Sequence, residues 1–450
     1  MPLEVLLKSL ELLDADPASF FGHALAAKVD PADFLREAAE AARGDRAADD
    51  LLAAAHDAAS ALASPAAMAD DTMLPGEPTT ADRDLARQLA ECSLAESRRR
   101  LRATRKYRTV GFTQACLADL SARRAREPLA VAKIAATIAS DLVPALDASP
   151  EVRLVLIVRA AIEYASARRM VQDHAGAAAV VRPLVMLARR HGMRRLCGEL
   201  WRLGARILLH RNQPQRALEL FDQAVLCFAD FGLSLDLVSL QIDRAILFER
   251  CGDLDSTERC LEVALRDLDH LSALGLARPD AMRLAQVSAH SMSAELAIQQ
   301  KKLDRALEHA QAAAEGLAES GGVRWAQAQW KIAEIAMADE RYGHEVETRL
   351  ETARDEFAAI GDSNAILVVL DLTRLKLKQG RVAEAVEDAR GMAAFLSQRR
   401  GEPVLDDALA GFVRTALEGE LTLRFVDSFR ASFAQALHKA RSATRSGGSR

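Results

Sequence analysis

Aromatic side chains are scarce in this 450-residue chain: Phe, Trp and Tyr together make up only 4%. Runs that alternate apolar and polar residues are also missing. Sheets draw on aromatic and β-branched residues with period two, so a β-rich fold is excluded. No stretch of about 18 uncharged apolar residues occurs, so no transmembrane helix is expected. The first 25 residues carry Glu4, Glu11, Asp14 and Asp16 inside their apolar pattern, which excludes a signal peptide. The formal net charge is only -5, which gives no whole-protein case for nucleic acid. The six cysteines are Cys92, Cys116, Cys197, Cys227, Cys251 and Cys260, with no C-x-x-C pair. Most fall in helical apolar patterns, where cysteine acts as a small buried hydrophobe. The default location is therefore the cytoplasm.

Catalytic signatures are missing as well. There is no H-E-x-x-H, no Gly-rich phosphate loop and no G-x-S-x-G. The histidines, among them His174, His191, His210, His270, His290, His309 and His344, are spread along the chain. Cys116, which ends "GFTQAC", has no histidine in its pattern and reads as a buried helix thiol. No catalytic residue, metal or cofactor is expected, and the chain reads as a non-enzyme.

What is present is a helical code. Half of the residues are hydrophobic, and Ala and Leu dominate. Apolar positions recur at three and four residues almost everywhere, so the expected fold is all-α. Residues 1–62 read as a small helical segment with breaks near Asp14–Pro17, Asp30–Pro31 and Gly44–Asp45. It is acidic, its Lys8, Lys28, Arg36, Arg43 and Arg46 being outnumbered by Asp and Glu. Residues 63–82, with Pro65, Pro75, Gly76 and Pro78, read as a flexible linker. Residues 83–435 read as a helical repeat array. Residues 436–450 read as a C-terminal tail, disordered over Arg441–Arg450.

The array shows itself in "GARILLHRNQPQRALELFDQAV". Ala205 precedes Ala217 by twelve residues, Phe221 follows, and then Ala224. The same spacing carries Ala245, Thr257, Leu261 and Ala264; Ala294, Ala306, Ala310 and Ala313; and Ala165, Ala177, Val181 and Leu184. Weaker copies use Val346, Leu350 and Ala353, then Ala385, Ala389 and Met392, and a degenerate one uses Ala130 and Ile134. The second-helix anchors 177, 217, 257, 306, 346 and 385 stand 40, 40, 49, 40 and 39 apart. A period near 40 with one longer loop, "HLSALGLARPD", accounts for them. Paired helices approach closely only at small side chains, and no pair buries its apolar face alone, so the repeats must stack.

This pattern resembles the tetratricopeptide repeat (TPR) family, in the longer repeats of bacterial signalling regulators, over about residues 110–400. The aromatic positions usual in the first helix are mostly absent: Ile207 or Leu208 stands there instead. The resemblance implies a right-handed α-solenoid of antiparallel pairs with a ligand groove lined by first helices. The opening "LEVLLKSLELLDADPASFF" resembles the C-terminal helix and exit of a lambda-repressor-like helix-turn-helix domain, through Leu3, Leu6, Leu7, Leu10, Leu13, Phe20 and Phe21. An ordinary amphipathic first helix fits those residues equally. The recognition helix of such a domain is not in this sequence.

The groove face implied by the resemblance presents Arg159, Arg169, Glu199, Arg202, Arg206, Arg250, Lys331, Arg374 and Lys378. Its excess of cations suits an acidic peptide or a terminal carboxylate. Reversing Arg202 and Arg206 to Glu is expected to weaken such a partner and leave the fold intact. The basic run "SRRRLRATRKYR", Ser97 to Arg108, with "RRAR" at 123–126, is compatible with phosphate contacts but reads better as a solvated face beside the acidic N-terminal region. Trp201, Trp325 and Trp330 read as helix packing. The leading expectation is a regulatory, protein- or peptide-binding scaffold of the bacterial cytoplasm, without membrane or nucleic acid as partner. Open solenoid ends and the Leu-rich first helix leave a homodimer open. The alternative is the sensor part of a transcription regulator whose DNA-binding domain lies outside this reading frame.

Overall fold

A computed structural model describes residues 46–62, 74, 76–124, 127–232, 234–275, 279–318, 321–340, 343–359, 362–397 and 403–447, the side chains of 392–397, 403–408 and 438–447 excepted. The expectations for residues 1–45, including the helix-turn-helix-like opening, and for most of the 63–82 linker lie outside these residues. The described residues are all-α, without a strand, and fall into two compact units that divide between Asp253 and Leu254. Each unit is a solenoid-type stack of TPR-like helix pairs.

The first unit opens with α1 (Arg46–Ser60), which packs on the stack rather than standing apart from it. Next come α2 (Thr80–Ala90), α3 (Leu94–Ala103), α4 (Val110–Arg123) and α5 (Pro128–Thr137). Helix α2 begins inside the expected linker because Thr79 and Asp82 close a capping box, each side chain satisfying the other's backbone N–H. A single π turn, Ile138–Leu142, follows α5. The pairs are then α6 (Pro150–Met170) with α7 (His174–Arg190), and α8 (Arg194–His210) with α9 (Pro214–Phe228). Helix α10 (Leu235–Arg250) ends the unit.

The second unit holds α11 (Leu254–Leu274), α12 (Pro279–Gln299) with α13 (Leu303–Leu317), α14 (Gly322–Ala338) with α15 (His344–Ala359), and α16 (Asn364–Lys378) with α17 (Val382–Ser397). It ends in α18 (Pro403–Leu417) and α19 (Leu423–Gly447). Helix α19 runs into the stretch whose composition reads as a disordered tail. Its earlier turns are anchored by an aromatic face: Phe425 and Phe429 pack on Phe412, and Phe433 is buried.

Most of the repeat code is seated as its spacing demands; Ala130 of the degenerate copy is only partly buried, and the Met392 side chain lies outside the described residues. In the first unit Ala165, Ala177, Val181, Leu184, Ala205, Ala217, Phe221, Ala224 and Ala245 are all buried. In the second the same holds for Thr257, Leu261, Ala264, Ala294, Ala306, Ala310, Ala313, Val346, Leu350, Ala353, Ala385 and Ala389. The 49-residue interval needs correction: α11 and α12 are 21 residues each, against 15 and 17 in α9 and α8, so longer helices and not a longer loop absorb the insertion.

The turn inside each pair repeats too. A residue in left-handed backbone stands at Gln172, Asn212, Gly252, Lys301, Glu340 and Gly380, with φ between 56° and 76°. At five of these turns the next amide donates to the carbonyl five residues back, as in Asp173 to Arg168 and Lys302 to Ala297. This is the Schellman closure, which ends one helix and aims the next. Only glycine takes that backbone without a Cβ penalty of about 1–2 kcal/mol. Lys301→Gly should therefore stabilise the second unit by roughly 1 kcal/mol. A urea midpoint that falls instead would mean the Lys301 side chain holds something the turn needs.

The stretch Pro128–Ala145 is apolar enough by composition to cross a membrane, but more than half of it is buried inside the first unit. It is helix, π turn and 3-10 turn in succession, and its apolarity is core.

Candidate functional site

Six of the nine residues expected to line a groove come from first helices of the first unit. Arg159 and Arg169 come from α6, Glu199, Arg202 and Arg206 from α8, and Arg250 from α10. Equivalent positions of successive first helices lie side by side, so polar partners recur about one repeat apart. Arg195 Nε meets Asp236 Oδ2 at 2.8 Å, and Arg202 Nε meets Asp243 Oδ2 at 2.5 Å, both 41 residues on. Arg206 reaches the other Asp243 oxygen at 3.2 Å. Asp243 is only 3% exposed. Burial raises its carboxyl, but Arg202 and Arg206 outweigh burial and hold it below the usual carboxylate range.

The cations cluster at helix C-termini for a physical reason. Arg169, His210 and Arg250 stand at or beside the last residues of α6, α8 and α10, where unpaired carbonyls carry partial negative charge. Arg250 Nη1 donates to the Leu209 carbonyl of α8 at 3.3 Å. Arg169 Nη1 lies 3.0 Å from His210 Nε2, and the His210 ring stacks on His174 with centroids 5.1 Å apart. Burial and then the Arg169 charge push His210 down to about 4, so it is neutral at pH 7 and accepts from Arg169.

Positive charge is left over here. Arg169 is pulled down to about 10, first by burial and then by the neighbouring Arg206 and Arg124. Its Nε is buried without a hydrogen-bond partner, as is His174 Nδ1. Glu199 brings less than a full negative charge, because burial and Asp236 push it up to about 7 against Arg159, Arg195 and Arg202. The face therefore offers unspent donors in a positive field.

The remaining three groove residues belong to the second unit. Lys331 Nζ pairs with Glu334 Oε2 at 3.3 Å on α14, and Arg374 Nε of α16 pairs with Asp427 Oδ1 of α19 at 2.9 Å. Lys378 is in the last turn of α16.

The basic run is largely spent internally. Arg99 and Arg100 share Glu96, Arg98 donates to Thr137 Oγ1 at 3.2 Å, and Arg102 pairs with Asp141 at 2.7 Å beside the π turn. A cavity of about 550 Å³ opens there, lined by Asp50, Asp57 and Asp141 as well as Arg98, Arg102 and Arg153, and its mixed charge favours no one ligand. Only Cys116 and Cys197 are fully buried, and Cys251 is exposed at a turn, so the expectation of buried thiols holds for part of the set. Burial pushes the Cys116 thiol up to about 12, which removes it as a nucleophile at neutral pH. The histidines are less scattered than their numbering indicates. Besides His174 and His210, His290 and His309 meet at 3.1 Å through their Nδ1 atoms. Among the described residues no group of three His, Cys, Asp or Glu side chains is placed to hold a metal.

No protein-family model matches the chain, and no curated protein matches it in sequence. The fold is similar to that of RapI, whose apo-form crystal structure superposes with a TM-score of 0.53 at 13% identity. The match covers 74% of this chain and 93% of RapI. BtubC (BKLC) from P. vanneervenii overlaps 54% of this chain and 92% of its own at 17% identity, with a TM-score of 0.41, too loose a likeness to argue from. The likeness to RapI is one of fold: a helical repeat architecture over most of the chain.

Proposed function

We propose that this protein is a non-enzymatic, regulatory scaffold that binds an acidic protein segment or peptide on the first-helix face of its first unit. The observation that carries the reading is Arg169. It is a half-buried guanidinium crowded by Arg124 and Arg206, with a buried N–H that bonds to nothing in the protein. A carboxylate placed there would accept charge-assisted hydrogen bonds and relieve the crowding. Helical repeat faces of this kind bind extended or helical segments without reshaping themselves. Six cysteines, none of them in a disulfide, fit a reducing compartment and so a cytoplasmic setting.

The test separates binding from folding. A fluorescein-labelled hexaglutamate peptide with a free C-terminal carboxylate is titrated into wild type and Arg169→Gln, read by anisotropy at low salt. Loss of a charge-assisted contact should weaken binding about tenfold or more. The urea midpoint should hold or rise, because a like charge has left the cluster. Equal affinity in the two proteins, or no binding by wild type, would remove this face from consideration.

A further inference from the structure

Three acids occupy one repeat position, fourteen residues before the anchors 177, 257 and 385: Glu163, Asp243 and Asp371. Each points into the first-helix face, and each is met by an arginine. For the first two, the preceding repeat supplies it. Arg124 Nη1 donates to Glu163 Oε2 at 2.8 Å, and Arg202 serves Asp243. At the third, the residue 41 positions earlier is not arginine but Trp330, whose Nε1 donates to Asp371 Oδ2 at 2.8 Å. Among the described residues the stack supplies no cation of its own to Asp371.

The cation comes instead from outside the repeats. Arg430 of α19 binds Asp371 in a two-pronged manner, Nε to Oδ1 at 2.7 Å and Nη2 to Oδ2 at 2.9 Å. The same Nη2 reaches Glu334 Oε1 at 2.6 Å, and the guanidinium lies 5.9 Å over the Trp330 ring. Trp330 is itself braced edge-on by Phe357 at 6.1 Å. Two carboxylates and an indole face form a receptor shaped for a planar cation. Burial raises the Asp371 carboxyl even with Arg430 opposing it, whereas Asp243 with its two arginines is held low.

Helix α19 seats itself as a ligand helix does. Val426, Arg430, Phe433 and Leu437 follow the i, i+4, i+7, i+11 spacing of one face, with the three apolar members buried. The flanking Asp427, Ser428, Ala431 and Ser432 are exposed. The terminal pair also departs from the stacking order: α18 packs on α17, while α19 lies against α16.

We propose that the face of α14 and α16 is a receptor for an amphipathic helix bearing one arginine between apolar anchors, and that α19 is its built-in occupant. The partner is a helix of that same pattern, which competes with α19 for Trp330, Glu334 and Asp371. This inference does not rest on the anion-binding face of the first unit, and the chemistry is opposite in sign.

The experiment uses the full chain and a labelled synthetic peptide spanning Leu421–Leu437. Arg430→Met in the protein should raise hydrogen exchange across 423–437 and leave the first unit unchanged. The peptide should then bind this variant at least about tenfold more tightly than wild type, in which α19 already fills the site. Adding Asp371→Asn to the variant, or changing Arg430 but not Arg424 to lysine in the peptide, should reduce that binding. The proposal fails if exchange across 423–437 does not rise, since Arg430 would then not hold the helix. It fails equally if exchange rises and the peptide binds no better than it does to wild type.

Discussion

Arg202→Ala should destabilise the first unit by about 3–5 kcal/mol, the usual consequence of removing one partner of a buried ion pair. The reason lies in Asp243 more than in Arg202. Its carboxylate is 3% exposed and takes a 2.5 Å contact from Arg202 Nε and a 3.2 Å contact from Arg206 Nε. With Arg202 gone, burial opposes the charge and the longer Arg206 contact must carry it alone. Arg202→Glu would be worse, since two carboxylates would then share the site. The expectation that both arginines can be reversed without harm therefore does not extend to Arg202. The triple variant Arg202→Met, Arg206→Met and Asp243→Leu should recover most of the loss, because apolar groups replace all three charges, whereas Arg202→Met with Asp243→Leu should recover less, Arg206 then having lost its carboxylate. Urea denaturation of wild type, the Arg202 and Asp243 singles, their double and the triple makes the comparison. A loss under about 1 kcal/mol for Arg202→Ala would mean Arg206 suffices, the pair then behaving like an exposed one. The consequence for function is a division of labour: Arg202 serves the stack, and Arg169 has donors to spare.

The apolar skeleton could be read from the sequence because its rule is local. A small residue at 205, another at 217 and a large one at 221 recur with a fixed period, and each is buried. The polar partnerships obey the same period but could not be read with equal ease. Arg202 and Asp243 are 41 residues apart, yet so are many pairs, and only the packing of α8 on α10 shows which of them meet. The histidine pair 174 and 210 was hidden in the same way. Arg430 was beyond reach altogether. Its partners Asp371 and Glu334 lie 59 and 96 residues earlier, outside any period, because the terminal pair leaves the stacking order. The sequence did hold one clue, the substitution of Trp330 where register would place arginine.

Phe228→Ala should cost the first unit about 3–5 kcal/mol, through lost burial and the cavity left behind. Phe228 stands eleven residues after the anchor Ala217, and Ala188, Leu268, Leu317 and Phe357 hold the same place in other repeats. All five are buried, so this position fills the space between neighbouring helices throughout. The first unit admits a ring there because Gly198 of α8 faces it. A Cβ on Gly198 would come within 2.6 Å of Phe228 Cε1, closer than any real contact. Gly198→Ala would gain about 1 kcal/mol in helix propensity, but the buried ring cannot withdraw, and overpacking costs about 1–3 kcal/mol. The single change should therefore destabilise on balance. Phe228→Leu trims the ring and should make Gly198→Ala tolerable, so the two should couple favourably by about 1 kcal/mol in a double-mutant cycle. Strict additivity would show that α8 and α9 shift apart to accommodate the methyl. In that case the glycine would be a helix-weakening residue with no packing reason. If the coupling is found, size complementarity between positions 198 and 228 is what lets this repeat carry an aromatic where its neighbours carry Ala or Leu.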